Sequence, residues 1–237
     1  MLHTDEYKRI HSDDSQLDSL LRLFEVKENG RFLDFGTGNG YVGFELAKRN
    51  KNCYFIGVDI TVESIARNNE IAKNEKVKNI EFISYDGFNL PFESQFFDGG
   101  ISRYAFHHFP DIEKSVEEIG RIINTSGFFI LSDPKTYGTD TTNFIDNFQR
   151  LKPDGHVHFY QEKEIDSLFQ KHGFIKETSF QSFITYPREL DMRYQALLDQ
   201  SNKKILEEYK IRVEGQFVYI TVECMNSFYR KIQVSIA

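Results

Sequence analysis

The chain has 237 residues, 40% of them hydrophobic, a size that one α/β domain with a modest addition can fill. Its net charge is −7, from 29 Lys+Arg against 36 Asp+Glu, with no long basic run, and this balance speaks against DNA or RNA as a substrate, which would call for a cationic stripe. The longest apolar runs fall well short of the roughly 20 residues of a membrane span, and Met1-Leu2-His3-Thr4-Asp5-Glu6 lacks the basic and apolar regions of a signal peptide, so a cytoplasmic location is expected.

In chain order, residues 5 to about 28 predict an N-terminal helix with Leu17, Leu20, Leu21 and Phe24 on one face. The most informative stretch follows, Phe32-Leu33-Asp34-Phe35-Gly36-Thr37-Gly38-Asn39-Gly40. A short apolar run reads as a buried strand, and Tyr41 to Asn50 reads as a helix, with Val42, Leu46 and Ala47 at helical spacing. Glycines between them let a ligand lie against bare backbone, and the helix N-terminus attracts a negative group. A second apolar run, Cys53 to Val58, ends in Asp59, whose carboxylate can accept from both hydroxyls of a ribose. Up to this point two cofactors compete. Gly38, Gly40 and Gly43 fit the dinucleotide spacing, and so does the interval to Asp59. Asp34, however, would repel a pyrophosphate and suit an ammonium.

Ile80 to Asp86 predicts a third strand ending in an acid. After it come Asn89-Leu90-Pro91-Phe92, Phe96-Phe97-Asp98 and the run from Gly99 to His107-His108-Phe109. Ile112 to Ile123 predicts an amphipathic helix, and Thr125-Ser126-Gly127 turns it into a strand ending at Asp133-Pro134. Over roughly residues 30 to 175, this series and the alternation Asp34-x-Gly36-x-Gly38-x-Gly40 resemble class I S-adenosylmethionine (SAM) methyltransferases. The resemblance is to their small-molecule branch, which includes the ubiquinone/menaquinone C-methyltransferases and uncharacterised bacterial relatives. It implies a Rossmann-like, mostly parallel seven-stranded sheet with helices on both faces and an antiparallel last strand. It also implies that SAM binds and leaves as S-adenosylhomocysteine.

The cofactor residues that the resemblance implies are Asp34 for the ammonium, Gly36, Gly38 and Gly40 for the loop, and Asp59 for the ribose diol. Ile60 would lie against the adenine, Asp86 and Gly87 would meet its exocyclic amine, and the backbone at Arg103 would face the methionine part. For several of these a plainer role is open: Asp59 as a helix cap and Asp86-Gly87 as a turn. The Asn-Pro-Pro-Tyr motif of enzymes that methylate bases is missing after the fourth strand, where Ser102-Arg103 stands instead. His108 is a candidate general base, because imidazole titrates near neutrality. In the family the N-terminal segment often closes over the SAM site, which makes Tyr7 a candidate contributor.

Beyond the fifth strand, residues 134–160 contain Pro134, Gly138, Pro153 and Gly155 and read as loop with a short helix near Asn143 to Leu151. His156-Val157-His158 alternates like a metal-binding pair, but no further ligands are spaced to complete a site, so no metal is expected. Gln161 to His172 predicts a helix stopped by Gly173, and Phe174 to Tyr186 and Gln216 to Tyr229 predict the last two strands. The charged stretch between them, about 188–212, is open to three readings: a lid, a homodimer surface or a solvated helix. Cys53 and Cys224 read as buried reduced thiols, and 23 Phe leave room for an aromatic-lined acceptor pocket.

The chain is thus read as one methyltransferase domain over 1–237, with a helical segment 1–29, a SAM-binding core 30–175 and substrate-side or lid insertions expected at 134–160 and 188–212. The expected activity is methyl transfer from SAM to a small-molecule acceptor, with no nucleic-acid partner. Two alternatives stand beside it, a SAM-binding protein without methyl transfer and an NAD-dependent oxidoreductase. The expected acceptor pocket lies above strands four and five, walled by the N-terminal segment, Arg103 to Phe109 and the 134–160 region.

Overall fold

A computed structural model describes residues 14–233. The start of the expected N-terminal helix, with Tyr7, lies outside the described residues, and α1 runs Asp14–Arg22. The elements then alternate: β1 (Arg31–Phe35), α2 (Tyr41–Arg49), β2 (Tyr54–Asp59), α3 (Val62–Asn74), β3 (Ile80–Ser84), β4 (Phe97–Arg103), α4 (Ile112–Ile122) and β5 (Ile123–Pro134). After them come α5 (Phe144–Arg150), α6 (Glu162–Lys171), β6 (Phe174–Glu189), α7 (Met192–Gln200), α8 (Lys203–Glu208), β7 (Arg212–Glu214) and β8 (Phe217–Lys231).

One sheet runs in the order β3-β2-β1-β4-β5-β8-β6, with β7 beside β8. The first five strands of that path pair in parallel, while β8 is antiparallel to β5, β6 and β7. The seven-strand path and its antiparallel final strand match the expected fold class. The three-residue β7 is an addition, too short for its sequence to show a period.

Alternation along the strands builds a core on each face of the sheet. Leu33, Phe35, Ile56, Val58, Phe129 and Leu131 face a core closed by α4 and α6. Phe32, Phe55, Phe128 and Ile130 face the other, closed by α1, α2 and α3. A third core lies apart, where Phe144, Phe148, Tyr194, Leu198, Ile205 and Tyr209 pack on Val218, Ile220 and Val222. Its position follows from register. Pro134 at the end of β5 pairs with Cys224, so the earlier half of β8 runs on past the carboxyl edge of the sheet. There β6 and β7 flank it. The 188–212 stretch is therefore anchored, with Tyr194, Leu198, Ile205 and Tyr209 each less than a tenth exposed. Tyr209 donates its hydroxyl to Asp140, whose carboxylate caps the start of α5 through the backbone N–H groups of Phe144 and Ile145.

Candidate functional site

The loop after β1 shapes the first cavity. Gly36, Gly38 and Gly40 all hold left-handed backbone, with φ of 74°, 52° and 82°. A Cβ on Gly36 would stand 2.4 Å from the Ala105 Cβ, whereas one on Gly38 would meet nothing within 4 Å. Gly38 is thus the open floor, and Gly36 is closed by the next strand's loop. Gly40 precedes α2, and its absent Cβ makes room for the Phe44 and Phe82 rings.

Asp34 fastens this loop from below. Only 2% exposed, its Oδ2 accepts from the Thr37 hydroxyl at 2.6 Å and the Gly43 N–H at 2.9 Å. Burial pushes its carboxyl up to about 6 against the pull of these two bonds. One bond goes to the loop and the other to the first turn of α2, so the acid that the resemblance assigns to an ammonium shapes the floor from behind.

Asp59 stands at the end of β2, with one oxygen accepting from the Gly38 N–H and the other from the Thr61 N–H, each at 2.9 Å. A carboxylate has about four lone-pair sites, so each oxygen keeps one for a further donor. Asp59 and Gly38 line a cavity of about 380 Å³ together with Gly36, Ile60, Thr61, Tyr85, Tyr104, Ala105, His108, Phe109, Pro110, Asp154 and Gly155. The volume falls within the usual range of small-molecule sites, roughly 300–1,000 Å³. Ile60 is 57% exposed at one end, and a Cβ on Gly87 would stand 3.5 Å from it. Gly87 thus borders this end without being a wall residue. Asp86 is not a wall residue either, and its carboxylate accepts from the Phe88 and Asn89 N–H groups in a turn of its own. Arg103 is nearly buried, reaching Gln16 at 3.4 Å, and Tyr104 continues the chain into the cavity with φ 57°.

A second cavity of about 170 Å³ adjoins the first and shares Tyr104, His108 and Asp154 with it. Its remaining walls are His107, Pro134, Gln149, Lys152, His156, Phe159, Ile184, Tyr186 and Arg188. The expected walls from 103–109 and 134–160 are therefore brought together. The contribution of β6 is new, and an apolar strand gives no sign of which residues face a cavity.

Asp146 on α5 organises this side. His156 and His158 each bond one of its oxygens, and the Phe159 N–H donates to it at 2.9 Å. The His-x-His alternation is thus explained by one shared carboxylate. Burial alone would raise the Asp146 carboxyl, but the two imidazoles hold it well below the usual range, and His158 is raised in return. Among the described residues, no group of three His, Cys, Asp or Glu side chains is placed to hold a metal ion. The backbone N–H groups of Val157 and His158 donate to the His107 carbonyl, which fastens this loop to the short turn Phe106–His108.

A larger cavity, about 540 Å³, lies elsewhere, near the amino ends of β4 and β5. Its charges are paired with one another, Lys27 with Asp98 and Arg230 with Glu25. It has neither the glycine floor nor the acids of the carboxyl edge.

Comparison with known proteins agrees with this geometry. A family profile described as a methyltransferase domain matches residues 26–173. The uncharacterized methyltransferase YcgJ of Bacillus subtilis is 29% identical over 165 residues, 68% of this chain and 64% of YcgJ. Its crystal structure superposes with a TM-score of 0.79 at 22% identity, covering 92% of this chain and 98% of that one. The Bacillus halodurans protein BH2331 superposes with a TM-score of 0.83 at 21% identity, covering 92% of this chain and all of the other. Geranyl diphosphate C-methyltransferase of Streptomyces coelicolor, crystallised with Mg2+, geranyl diphosphate and S-adenosylhomocysteine, gives 0.65 at 14% identity, covering 90% of this chain and 78% of that one. The chain spans less than two thirds of the length of the first curated relatives it matches.

Proposed function

The chain belongs to the methyltransferase domain family, and from that premise we propose that it moves a methyl group from SAM to a small acceptor in the second cavity. Family and fold are those of SAM-dependent methyltransferases. The observation that carries the reading is the pair of adjoining cavities at the carboxyl edge, with Tyr104, His108 and Asp154 common to both. Ligands gather at that edge in open α/β sheets.

The first cavity suits SAM on its own chemistry. Gly36 and Gly38 offer backbone, and Asp59 has lone pairs left for two ribose hydroxyls. Ile60 with Gly87 offers an apolar edge to the base, and Asp86 is near enough in sequence to act at that end through its turn. Asp34, through Thr37 and Gly43, keeps Gly36 to Gly40 in the shape that the amino acid end needs. Gly40 sets the start of α2, and the backbone at Arg103 leads to Tyr104 beside the methionine part.

When bound, SAM supplies a methyl on a sulfonium sulfur, a good leaving group. The protein's task is to align the acceptor and exclude water, which can contribute roughly 7–11 kcal/mol in favourable cases. His108, on the boundary between the cavities, is placed to touch the reacting groups. The net charge of −7 favours a small molecule over a nucleic acid as acceptor, and we place the activity in the cytoplasm. No helix among the described residues is long and apolar enough to cross a membrane.

The test is thermal unfolding with SAM, S-adenosylhomocysteine or NAD, because a ligand that binds only the folded chain raises its melting temperature. The first two should stabilise and NAD should not. Stabilisation by NAD alone would overturn the reading.

A further inference from the structure

We propose that the His107–Asp133 pair is the proton acceptor of the second cavity, and that the acceptor molecule is a small phenol. This rests on the methyl-transfer reading above and adds the acceptor's chemistry to it.

Asp133, near the end of β5, is fully buried. Its carboxylate is spent on one neighbour: Oδ2 accepts the His107 backbone N–H at 3.1 Å, and Nδ1 of the same residue lies 3.0 and 3.1 Å from the two oxygens. A carboxylate only accepts, so Nδ1 carries the hydrogen, and in the neutral ring the lone pair is on Nε2. Among the described residues nothing bonds Nε2, and the ring lines the second cavity. This is the arrangement of a base whose tautomer and imidazolium charge are both managed by a buried acid.

His108 is built differently. Its Nδ1 is buried with no hydrogen-bond partner among the described residues. Burial and the adjacent His107 ring, 4.1 Å away between centroids, hold its pKa below the usual value. Among the described residues no carboxylate is hydrogen-bonded to it to stabilise a proton. The other ionisable groups around the cavity are Tyr104, Lys152, Asp154, His156, Tyr186 and Arg188. Of these, His156 is already bonded to Asp146. His107 therefore takes the proton, while His108 lines both cavities beside donor and acceptor.

The acceptor class follows from size, walls and proton. About 170 Å³ is below the range of drug-sized sites and suits a single ring. Tyr104, Phe159 and Tyr186 supply aromatic walls. A neutral amine can attack before losing a proton, and an aliphatic alcohol, a far weaker acid than a phenol, gives its proton to imidazole less readily. A phenol, with a pKa near 10, lies within reach. The phenolic O–H bond breaks as the proton binds Nε2 of His107. The freed oxygen pair forms the bond to the methyl carbon, the methyl–sulfur pair remains on sulfur as a neutral thioether, and the imidazolium later releases its proton to water.

The experiment uses 4-nitrophenol, whose anion absorbs visibly, added to the protein loaded with S-adenosylhomocysteine at a pH below the phenol's own pKa. Wild type should bind it as the anion. His107→Gln should bind it with most of that signal lost, and its methylation with SAM should fall by roughly 100-fold. Asp133→Asn should weaken both. Nitrogen-15 NMR of the unsubstituted protein should show hydrogen on Nδ1 of His107, a readout independent of any variant's folding. The proposal is overturned by an Nε2–H tautomer, by no binding of the phenol, or by loss of the anion signal in His108→Gln but not in His107→Gln. Failure of S-adenosylhomocysteine to raise the melting temperature would instead strike the methyl-donor reading itself.

Discussion

The first cavity is floored by backbone, and the second is walled by side chains. Around Gly36 to Thr61, the acids Asp34 and Asp59 bond mainly N–H groups of their own loop and the next. Around Gln149 to Arg188, the structure depends on Asp146 with two imidazoles and on Asp133 with a third. A floor of backbone can receive the same ligand whatever surrounds it. A wall of side chains from α5, its following loop and β6 can change with the acceptor. The difference predicts that the two halves fail differently when cut.

The largest effect is expected around the second cavity. Asp146 is 3% exposed, and Asp146→Ala strands His156, His158 and the Phe159 N–H together. Breaking a buried charged pair typically costs about 3–5 kcal/mol. Urea unfolding should show a loss of that order. S-adenosylhomocysteine should still bind the folded fraction, because the carboxylate is not a wall of the first cavity. A loss below about 1 kcal/mol, the scale of an exposed pair, would mean that the imidazoles find water and the side-chain wall is looser than drawn.

Glycine substitutions sharpen the contrast. Gly36→Ala adds a left-handed penalty of about 1–2 kcal/mol to overpacking of about 1–3 kcal/mol against Ala105. It should destabilise the fold and abolish cofactor binding. Gly155→Ala, also left-handed but with nothing within 4 Å of the new Cβ, should cost only the backbone part. Equal effects in denaturant titrations would remove the distinction between a packed floor and an open rim.

How much of this was legible in the chain follows the same division. The first cavity is written in short contiguous stretches, because strand, loop and helix succeed one another within each βα unit. Phe32 to Gly40 and Cys53 to Asp59 therefore announced β1, its loop and β2 nearly to the residue. The second cavity and its supports join His107, Asp133, Asp146 and Tyr186, which are far apart in the chain. His156 and His158 were visible as a pair, but their partner Asp146 sits ten and twelve residues earlier on another element. The short α7 and α8 were legible only as helix-prone charge. Four aromatic and aliphatic positions, buried by a strand extension that the sequence does not measure, made them part of a core.

A pH experiment isolates the floor. Burial raises Asp34 to about 6, against about 3.9 for Asp in an unfolded chain. The folded state thus holds this proton more tightly. The stabilisation is fully present below about pH 3.9 and is lost as pH rises to about 6, at up to about 1.4 kcal/mol per unit of separation. Asp34→Asn keeps an acceptor oxygen for Thr37 and Gly43 but does not titrate. Relative to wild type it should gain stability as pH rises through that window. A constant difference between the two curves would show that the floor is not the titrating element.

The effect that speaks most directly to the cofactor is that of Asp59→Ala. The side chain spends one lone pair on Gly38 and one on Thr61, which leaves two acceptor sites facing the cavity. If a ribose diol takes them, their removal should weaken S-adenosylhomocysteine binding by about 1.5–3 kcal/mol, the scale of hydrogen bonds to a charged group. Asp59→Asn retains one full acceptor oxygen and should lie between. Calorimetry on both variants, with their melting temperatures as a check on the loop, separates the diol from the floor. If affinity is unchanged while stability falls, Asp59 serves Gly38 and Thr61 alone, and the ribose must be held by the backbone that those residues present.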